Sequence, residues 1–196
     1  DADLASRFLL GPAYASVSDG FAEARSRYAV STDISSILVA LGGTDARGNL
    51  PALLGSLLPL LQTPVEICVL SVRPISMDAP DHVKLTWVWL DQDSLAQRMP
   101  DFDLAILGGG TMLLQTACVG IPTLSWPQTT GQQRHAAAWE SKDAVIAIKG
   151  LDALAAALSR LQSPRLRLQL SRAGRSVVDG LGASRIAACL CSMLEE

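Results

Sequence analysis

The chain has 196 residues, of which 49% are hydrophobic and 18% are charged. This length suits one α/β domain with a buried core, and a charged fraction below the usual value of about a quarter argues against a disordered chain. The net charge is -3, no Lys/Arg block is present, and aromatic residues are few. A basic face with stacking rings is typical of nucleic-acid binding, so we expect no nucleic-acid partner.

The four cysteines, Cys68, Cys118, Cys189 and Cys191, lie in apolar runs without the spacing of metal ligands. We therefore predict no metal site, no cofactor and a reducing, cytoplasmic location. Residues 104–133 contain no charged side chain, but glycines and prolines interrupt them repeatedly. A membrane-spanning helix would not be interrupted so often, so we predict no transmembrane segment.

Apolar and β-branched runs alternate with helical patterns along the chain. The runs predict strands at 34–43, 65–72, 83–90, 102–109, 121–126 and 144–149. The helical patterns predict helices at 49–61, 91–99, 111–119, 131–141, 151–161, 164–178 and 183–194. This alternation indicates an α/β fold, a Rossmann-like parallel sheet of about six strands with helices on both faces. Residues 1–30 show no strand period and are predicted to be an interdomain or linker segment, and 31–196 the Rossmann-like domain.

Two predicted strand-to-helix turns are rich in glycine: LGGTDARGN at 41–49 and LGGGTMLLQ at 107–115. Ligands of open parallel sheets bind beyond the carboxyl ends of the strands, where glycine admits a close backbone approach and helix N-termini favour phosphate. Neither turn matches the motif of P-loop ATPases or of dinucleotide-binding folds. We therefore predict a phosphate-containing ligand at these turns.

Polar residues near these turns complete the predicted site. An amide at Gln115 could bond ribose hydroxyls, and Gln132 and Gln133 begin the helix that follows the next strand. Asp45 and His135 are the candidates for acid–base chemistry, although Asp45 could equally cap a helix. The predicted nucleotide-binding residues are Gly42, Gly43, Thr44, Gly108, Gly109, Gly110, Thr111, Gln115, Gln132 and Gln133.

The same segments resemble the UDP-sugar hydrolases of pseudaminic acid biosynthesis (PseG-like). GGTDARGN, FDLAILGGGTMLLQTACVGIPTL and GQQRHAAAW are similar to their glycine-rich and glutamine motifs, and MurG-like glycosyltransferases share a version of the second. FLLGPAY at the start and DGLGASRIA near the end resemble motifs of the hydrolase rather than of MurG. Gln115 stands where the family has a glutamate, which puts the affinity and the nucleotide preference in doubt.

The resemblance implies the C-terminal, nucleotide-sugar-binding domain of a two-domain GT-B enzyme, in which 31–196 hold a UDP-linked sugar. It also implies that the catalytic half, with its catalytic histidine, lies in an N-terminal half or a partner chain absent from this sequence. The expected reaction is release of a free deoxy-diacetamido sugar from UDP. The alternatives are the donor-binding domain of a MurG-like glycosyltransferase and a non-catalytic nucleotide-sugar-binding subunit. Because the cleft face would be exposed without its partner, we also expect self-association.

Overall fold

The computed structural model describes residues 8–42 and 45–194. Six strands form one parallel sheet in the order β3-β2-β1-β4-β5-β6. They are β1 (Ser36–Ala40), β2 (Val65–Leu70), β3 (Val83–Val88), β4 (Leu104–Leu107), β5 (Thr123–Ser125) and β6 (Ile146–Ala147). The helices are α1 (Asp19–Arg27), α2 (Leu50–Leu57), α3 (Gln92–Arg98), α4 (Met112–Val119), α5 (Thr130–Glu140), α6 (Leu154–Leu161), α7 (Pro164–Val177) and α8 (Gly182–Leu194). The predicted six-stranded, Rossmann-like α/β fold is confirmed.

Two apolar layers cover the sheet, one on each face. Side chains of α1, α3, α4 and α5 pack with one set of strand side chains, and those of α2 and α6 pack with the other. Strands β1, β2 and β4 are buried along almost their whole length, which explains why they read as continuous apolar runs. The short β6 is paired only to β5, so only 146–147 of the predicted strand at 144–149 have ladder partners.

The order of the strands places a switch point between β1 and β4. From β1 the chain passes through α2, on one face, to β2. From β4 it passes through α4, on the opposite face, to β5. Crossover connections that leave neighbouring strands on opposite faces open a crevice at the carboxyl ends of those strands. The two glycine-rich turns follow β1 and β4, so both lie at this crevice.

Residues 1–30 were predicted to be an interdomain or linker segment. Their described part includes α1, in which Phe21 and Ala24 are buried in the layer formed by α3 and α4. Arg25 in α1 donates to the carbonyls of Cys118 and Val178, at 3.1 and 3.0 Å. This helix is thus packed into the domain, and the role of the segment as a connection to another half stays a prediction.

Arg167 in α7 joins the loop before β1 to the end of α6. The side chain is fully buried, and burial lowers the pKa of its guanidinium. Its terminal nitrogens donate to four main-chain carbonyls, at 2.6 to 3.1 Å, of Leu161, Gln162, Ser31 and Thr32. A buried charge is tolerated when hydrogen bonds replace its hydration, so Arg167 acts as a structural clamp.

By length and composition alone, one helical stretch within the described residues, 164–193, could cross a membrane. It consists of α7 and α8, which have 14 and 13 residues and are separated by 178–181. A spanning helix needs about 20 residues, so neither helix is long enough alone. The apolar segment 104–133, discussed above, forms β4, α4 and β5 inside the core.

Candidate functional site

The two glycine-rich turns contact each other at the crevice between β1 and β4. The position of a Cβ on Gly108 would lie 3.4 Å from the Cα and the carbonyl oxygen of Leu41. Gly42 and Gly109 have φ of 109° and 86°, in the left-handed region that glycine adopts without strain. The structure thus brings together Gly42, Gly108, Gly109 and Gly110. Gly43 and Thr44 lie outside the described residues.

Asp45 caps the helix that follows the first turn. Its two carboxylate oxygens accept from the backbone N–H groups of Asn49 and Leu50, at 3.0 and 2.9 Å. Its backbone N–H donates to the carbonyl of Gly42 at 3.2 Å. These hydrogen bonds show that Asp45 caps the helix. A catalytic role for Asp45 stays a prediction.

The second turn carries Thr111 and Gln115 on α4. Thr111 is exposed, and its hydroxyl makes no capping hydrogen bond to its own helix. Gln115 is only 6% exposed, and its Nε2 donates to Oε1 of Gln92, the first residue of α3, at 2.7 Å. Its Oε1 is buried without a partner among the described residues. Gln115 is thus buried, and its amide nitrogen is already engaged by Gln92.

The start of α5 packs against the second glycine-rich turn. A Cβ on Gly109 would lie 3.3 Å from Cβ and the carbonyl oxygen of Gln132 and from Oγ of Ser125. Ser125 is fully buried, and its hydroxyl has no partner among the described residues. Nδ1 of His135 donates to the carbonyl of Gly109 at 3.1 Å. Since a carbonyl can only accept, this bond leaves Nε2 of a neutral His135 as an acceptor.

Amide side chains connect the end of the first turn to the segment between β5 and α5. Asn49 Nδ2 donates to Gln128 Oε1, and the backbone N–H of Gln128 donates to Gln132 Oε1 at 2.7 Å. Nε2 of Gln128 donates to the carbonyl of Trp126 at 2.6 Å. These residues come from two segments of the chain, Asn49 before α2 and residues 126–132 between β5 and α5.

Two further cavities border this region. One, of about 370 Å³, is lined by residues that include His135, Leu114, Trp139 and Tyr14. The other, of about 420 Å³, lies beside Gln133 and also includes Arg134 and Lys149. Gln133 is exposed and lies on the side of α5 toward this second cavity, so the structure separates it from Gln132.

The electrostatics of the crevice suit an anion. The first turns of α4 and α5 contain no acidic residue, and the N–H groups of their first turns carry the positive end of the helix dipole. At the start of α2 the carboxylate of Asp45 already accepts from the N–H groups of Asn49 and Leu50. Within the described ranges, no group of three His, Cys, Asp or Glu side chains is arranged to hold a metal ion.

Sequence reasoning missed several residues of this region: Gln92, Gln128, Ser125 and, as a side-chain partner, Asn49. Gln128 follows strand β5 among other polar residues, and nothing local in the sequence distinguishes it. Its partner Asn49 is 79 positions away. Only the juxtaposition of the two segments in the fold reveals their contact.

Comparison with known proteins identifies solved structures with a similar fold. No protein family model matches the chain. Among solved structures, MurG from Acinetobacter baumannii superimposes with a TM-score of 0.71 at 14% identity, over 96% of this chain and 56% of that one. The glycosyltransferase SpnG, solved with thymidine diphosphate, has a TM-score of 0.58 at 17% identity, over 87% and 47%. The chain therefore has the Rossmann-like fold of about half of each of these glycosyltransferases, as predicted.

A curated protein is similar in sequence as well. SpsG of Bacillus subtilis (strain 168), a spore coat polysaccharide biosynthesis protein, is 29% identical over 204 residues, which cover 97% of this chain. The alignment spans 60% of SpsG, so the chain corresponds to little more than half of that relative. The chain is thus similar in sequence to SpsG and similar in fold to MurG.

Proposed function

We propose that this chain is the half of a GT-B enzyme that binds the nucleoside diphosphate of a sugar donor, at the crevice between β1 and β4. The observation that carries the proposal is the contact between the two glycine-rich turns, Gly108 against Leu41, at the switch point of the sheet. Crevices of this kind hold the ligands of open α/β sheets. SpnG, of the same fold, is described with thymidine diphosphate.

In this proposal the diphosphate lies between the turns. Backbone N–H groups at the start of α4, from Gly110 and Thr111, donate to the phosphate oxygens, and the exposed Thr111 hydroxyl donates a further hydrogen bond. Gly43 and Thr44 supply the equivalent donors of the first turn. Gln115 takes the ribose hydroxyls once Gln92 has moved aside. When the bond between sugar and phosphate breaks, negative charge grows on the leaving phosphate oxygen, and preorganised donors stabilise it.

The sugar acceptor distinguishes two candidate reactions. The hydrolase motifs at both ends of the chain favour water as acceptor and a UDP-linked diacetamido sugar as substrate. The fold similarity to MurG and SpnG favours a sugar transferase, with a hydroxyl group as acceptor. In both reactions we assign activation of the acceptor to a group outside these residues, because the family resemblance places the catalytic histidine in the other half of a two-domain enzyme.

Calorimetric titration of the chain with UDP tests the donor site, with CDP, GDP and ADP as comparison ligands. We expect selective UDP binding that weakens about 10-fold in Thr111→Val, because a hydrogen bond to a charged oxygen is lost. Thr63→Val is the matched control, since Thr63 is exposed. It precedes the amino end of β2, whereas the crevice lies at the carboxyl ends of the strands. Equal affinity in Thr111→Val, or equal loss in both variants, contradicts the assigned position of the phosphates.

The reaction is assayed on the complete protein with a UDP-linked diacetamido sugar. Release of UDP and free sugar with water as the only acceptor supports the hydrolase. Release that depends on an added acceptor supports the transferase. Binding without turnover under either condition supports the third alternative, a non-catalytic binding subunit.

A further inference from the structure

Positive charge is concentrated in one part of the chain. Residues 131–178 contain eight Lys and Arg against three Asp and Glu, whereas the rest of the chain contains eight against sixteen. This segment is therefore basic within a protein whose net charge is -3. Because its cations are spread along the sequence, they form no Lys/Arg block, and only the fold brings them together.

A cavity beside β6 collects cations from three parts of this segment. It has a volume of about 500 Å³ and is lined by Lys142, after α5, by Arg160, in α6, and by Arg172, in α7. Two carboxylates, Glu140 and Asp143, also line it, and that of Glu140 accepts from a backbone N–H of β6 at 3.0 Å. Among the residues that the structure describes, neither carboxylate forms a salt bridge with these cations. The three cations are therefore free to meet an anionic partner.

The outer side of α7 continues this basic surface. Arg165, Leu168 and Arg172 are spaced by three and four residues, which places them on one face of the helix. All three are exposed, and Leu168 has 39% of its surface accessible. The sequence of α7 contains no Asp or Glu. A leucine between two arginines suits a membrane surface, because the guanidinium groups reach the lipid phosphates while the apolar side chain enters the interface.

We propose that this basic face, formed by Lys142, Arg160, Arg165, Leu168 and Arg172, binds the surface of an anionic lipid bilayer. In this arrangement α7 contacts the membrane, and the cavity beside β6 holds a lipid phosphate group. The attraction is that between clustered Lys and Arg side chains and the negative charge of the lipids. The face lies at the β6 edge of the sheet, so the proposal is independent of the donor site between β1 and β4.

A nucleic acid is the other large polyanion that such a surface could attract. Binding to unpaired bases needs aromatic side chains on which the bases stack. Trp139 is the only Phe, Trp or Tyr within residues 131–178, and it is buried. The exposed leucine and the apolar part of the cavity, which includes Ile146 and Leu170, therefore favour lipid over nucleic acid.

Cosedimentation with lipid vesicles at about 0.15 M salt tests the proposal. The chain should bind vesicles of equimolar phosphatidylcholine and phosphatidylglycerol and should not bind vesicles of phosphatidylcholine alone. A cation near an anionic surface contributes about 5-fold in affinity. Arg160→Ala combined with Arg172→Ala should therefore bind at least about 10-fold more weakly. No binding to the anionic vesicles, or equal binding to both kinds, overturns the proposal.

The matched control removes two cations at the opposite edge of the sheet. Arg73 and Lys84 are exposed, and Lys84 lies in β3, the edge strand opposite to β6. The width of six strands, about 24 Å, exceeds the Debye length of about 8 Å. Arg73→Ala combined with Lys84→Ala should thus bind the vesicles as the unmodified chain does, and urea denaturation checks that both double variants fold. Equal weakening in both would mean that net charge, and not the basic face, decides the binding, and would refute the proposal.

Substitution of Leu168 tests the contact made by α7. Leu168→Ser removes an apolar side chain and leaves the charge unchanged, so affinity for the anionic vesicles should fall about 5-fold. Leu60→Ser is the control, because Leu60 is similarly exposed, at 37%, and lies outside the basic face. Unchanged affinity in Leu168→Ser, or equal losses in both variants, contradicts the contact between α7 and the bilayer.

A DNA duplex of mixed sequence distinguishes the two kinds of polyanion. At the same salt concentration the chain should bind the duplex more weakly than the anionic vesicles, and Leu168→Ser should not change that affinity. Binding to the duplex without binding to the vesicles would identify nucleic acid as the partner and would overturn the membrane proposal.

Discussion

Replacement of Gly109 by alanine tests how tightly the glycine-rich turn is built. Gly109 has φ of 86°, and the left-handed conformation costs a residue with a Cβ roughly 1–2 kcal/mol. The new Cβ would lie 3.3 Å from Cβ and the carbonyl oxygen of Gln132 and from Oγ of Ser125. Neither the helix backbone nor the buried serine can yield freely, and overpacking of this kind adds about 1–3 kcal/mol. We expect Gly109→Ala to lower the free energy of unfolding by about 2–5 kcal/mol in total.

Urea denaturation followed by circular dichroism measures this loss, provided that the slope with denaturant is unchanged. The matched control is Gly55→Ala. Gly55 is exposed within α2, and nothing lies within 4 Å of the position of its Cβ. Alanine there should raise the free energy of unfolding by about 0.5–1 kcal/mol, because it favours the helix. An unchanged or increased stability of Gly109→Ala would refute the packing described for this turn, as would equal losses in both variants.

Two further predictions concern the interior. Arg167→Met should lower the free energy of unfolding by at least about 3 kcal/mol, because four main-chain carbonyls lose their donor; a loss below about 1 kcal/mol in the same denaturation assay would contradict the clamp. Burial raises the pKa of the thiols of Cys68 and Cys118, so near pH 8 their thiolate fraction is smaller than that of an exposed cysteine. A thiol reagent at this pH should modify Cys189 and Cys191 in the folded protein and the other two only in denaturant, and rapid reaction of all four would show that the core is open.

The sequence by itself determined the local elements of this protein. The apolar runs of β1, β2 and β4 are long enough to show that they are buried on both faces, and the two glycine-rich turns directly follow β1 and β4. The capping role of Asp45 is a second feature that the local sequence could predict. Its position before α2 allowed both a cap and a catalytic acid, and its bonds to the N–H groups of Asn49 and Leu50 are those of a cap. Such features depend on residues a few positions apart, so they can be inferred from spacing.

Only the tertiary structure decided which segments meet. The strand order β3-β2-β1-β4-β5-β6 puts the turns after β1 and β4 side by side, although they are more than 60 residues apart. The same packing decides three sets of hydrogen bonds between distant residues. They join Asn49 to Gln128, Gln115 to Gln92, and Arg167 to main-chain carbonyls that include that of Ser31. Hydrophobic periodicity specifies which face of an element is buried, but it does not specify the partner. That choice is made by the collective packing of the two layers on the sheet, and no local pattern records it.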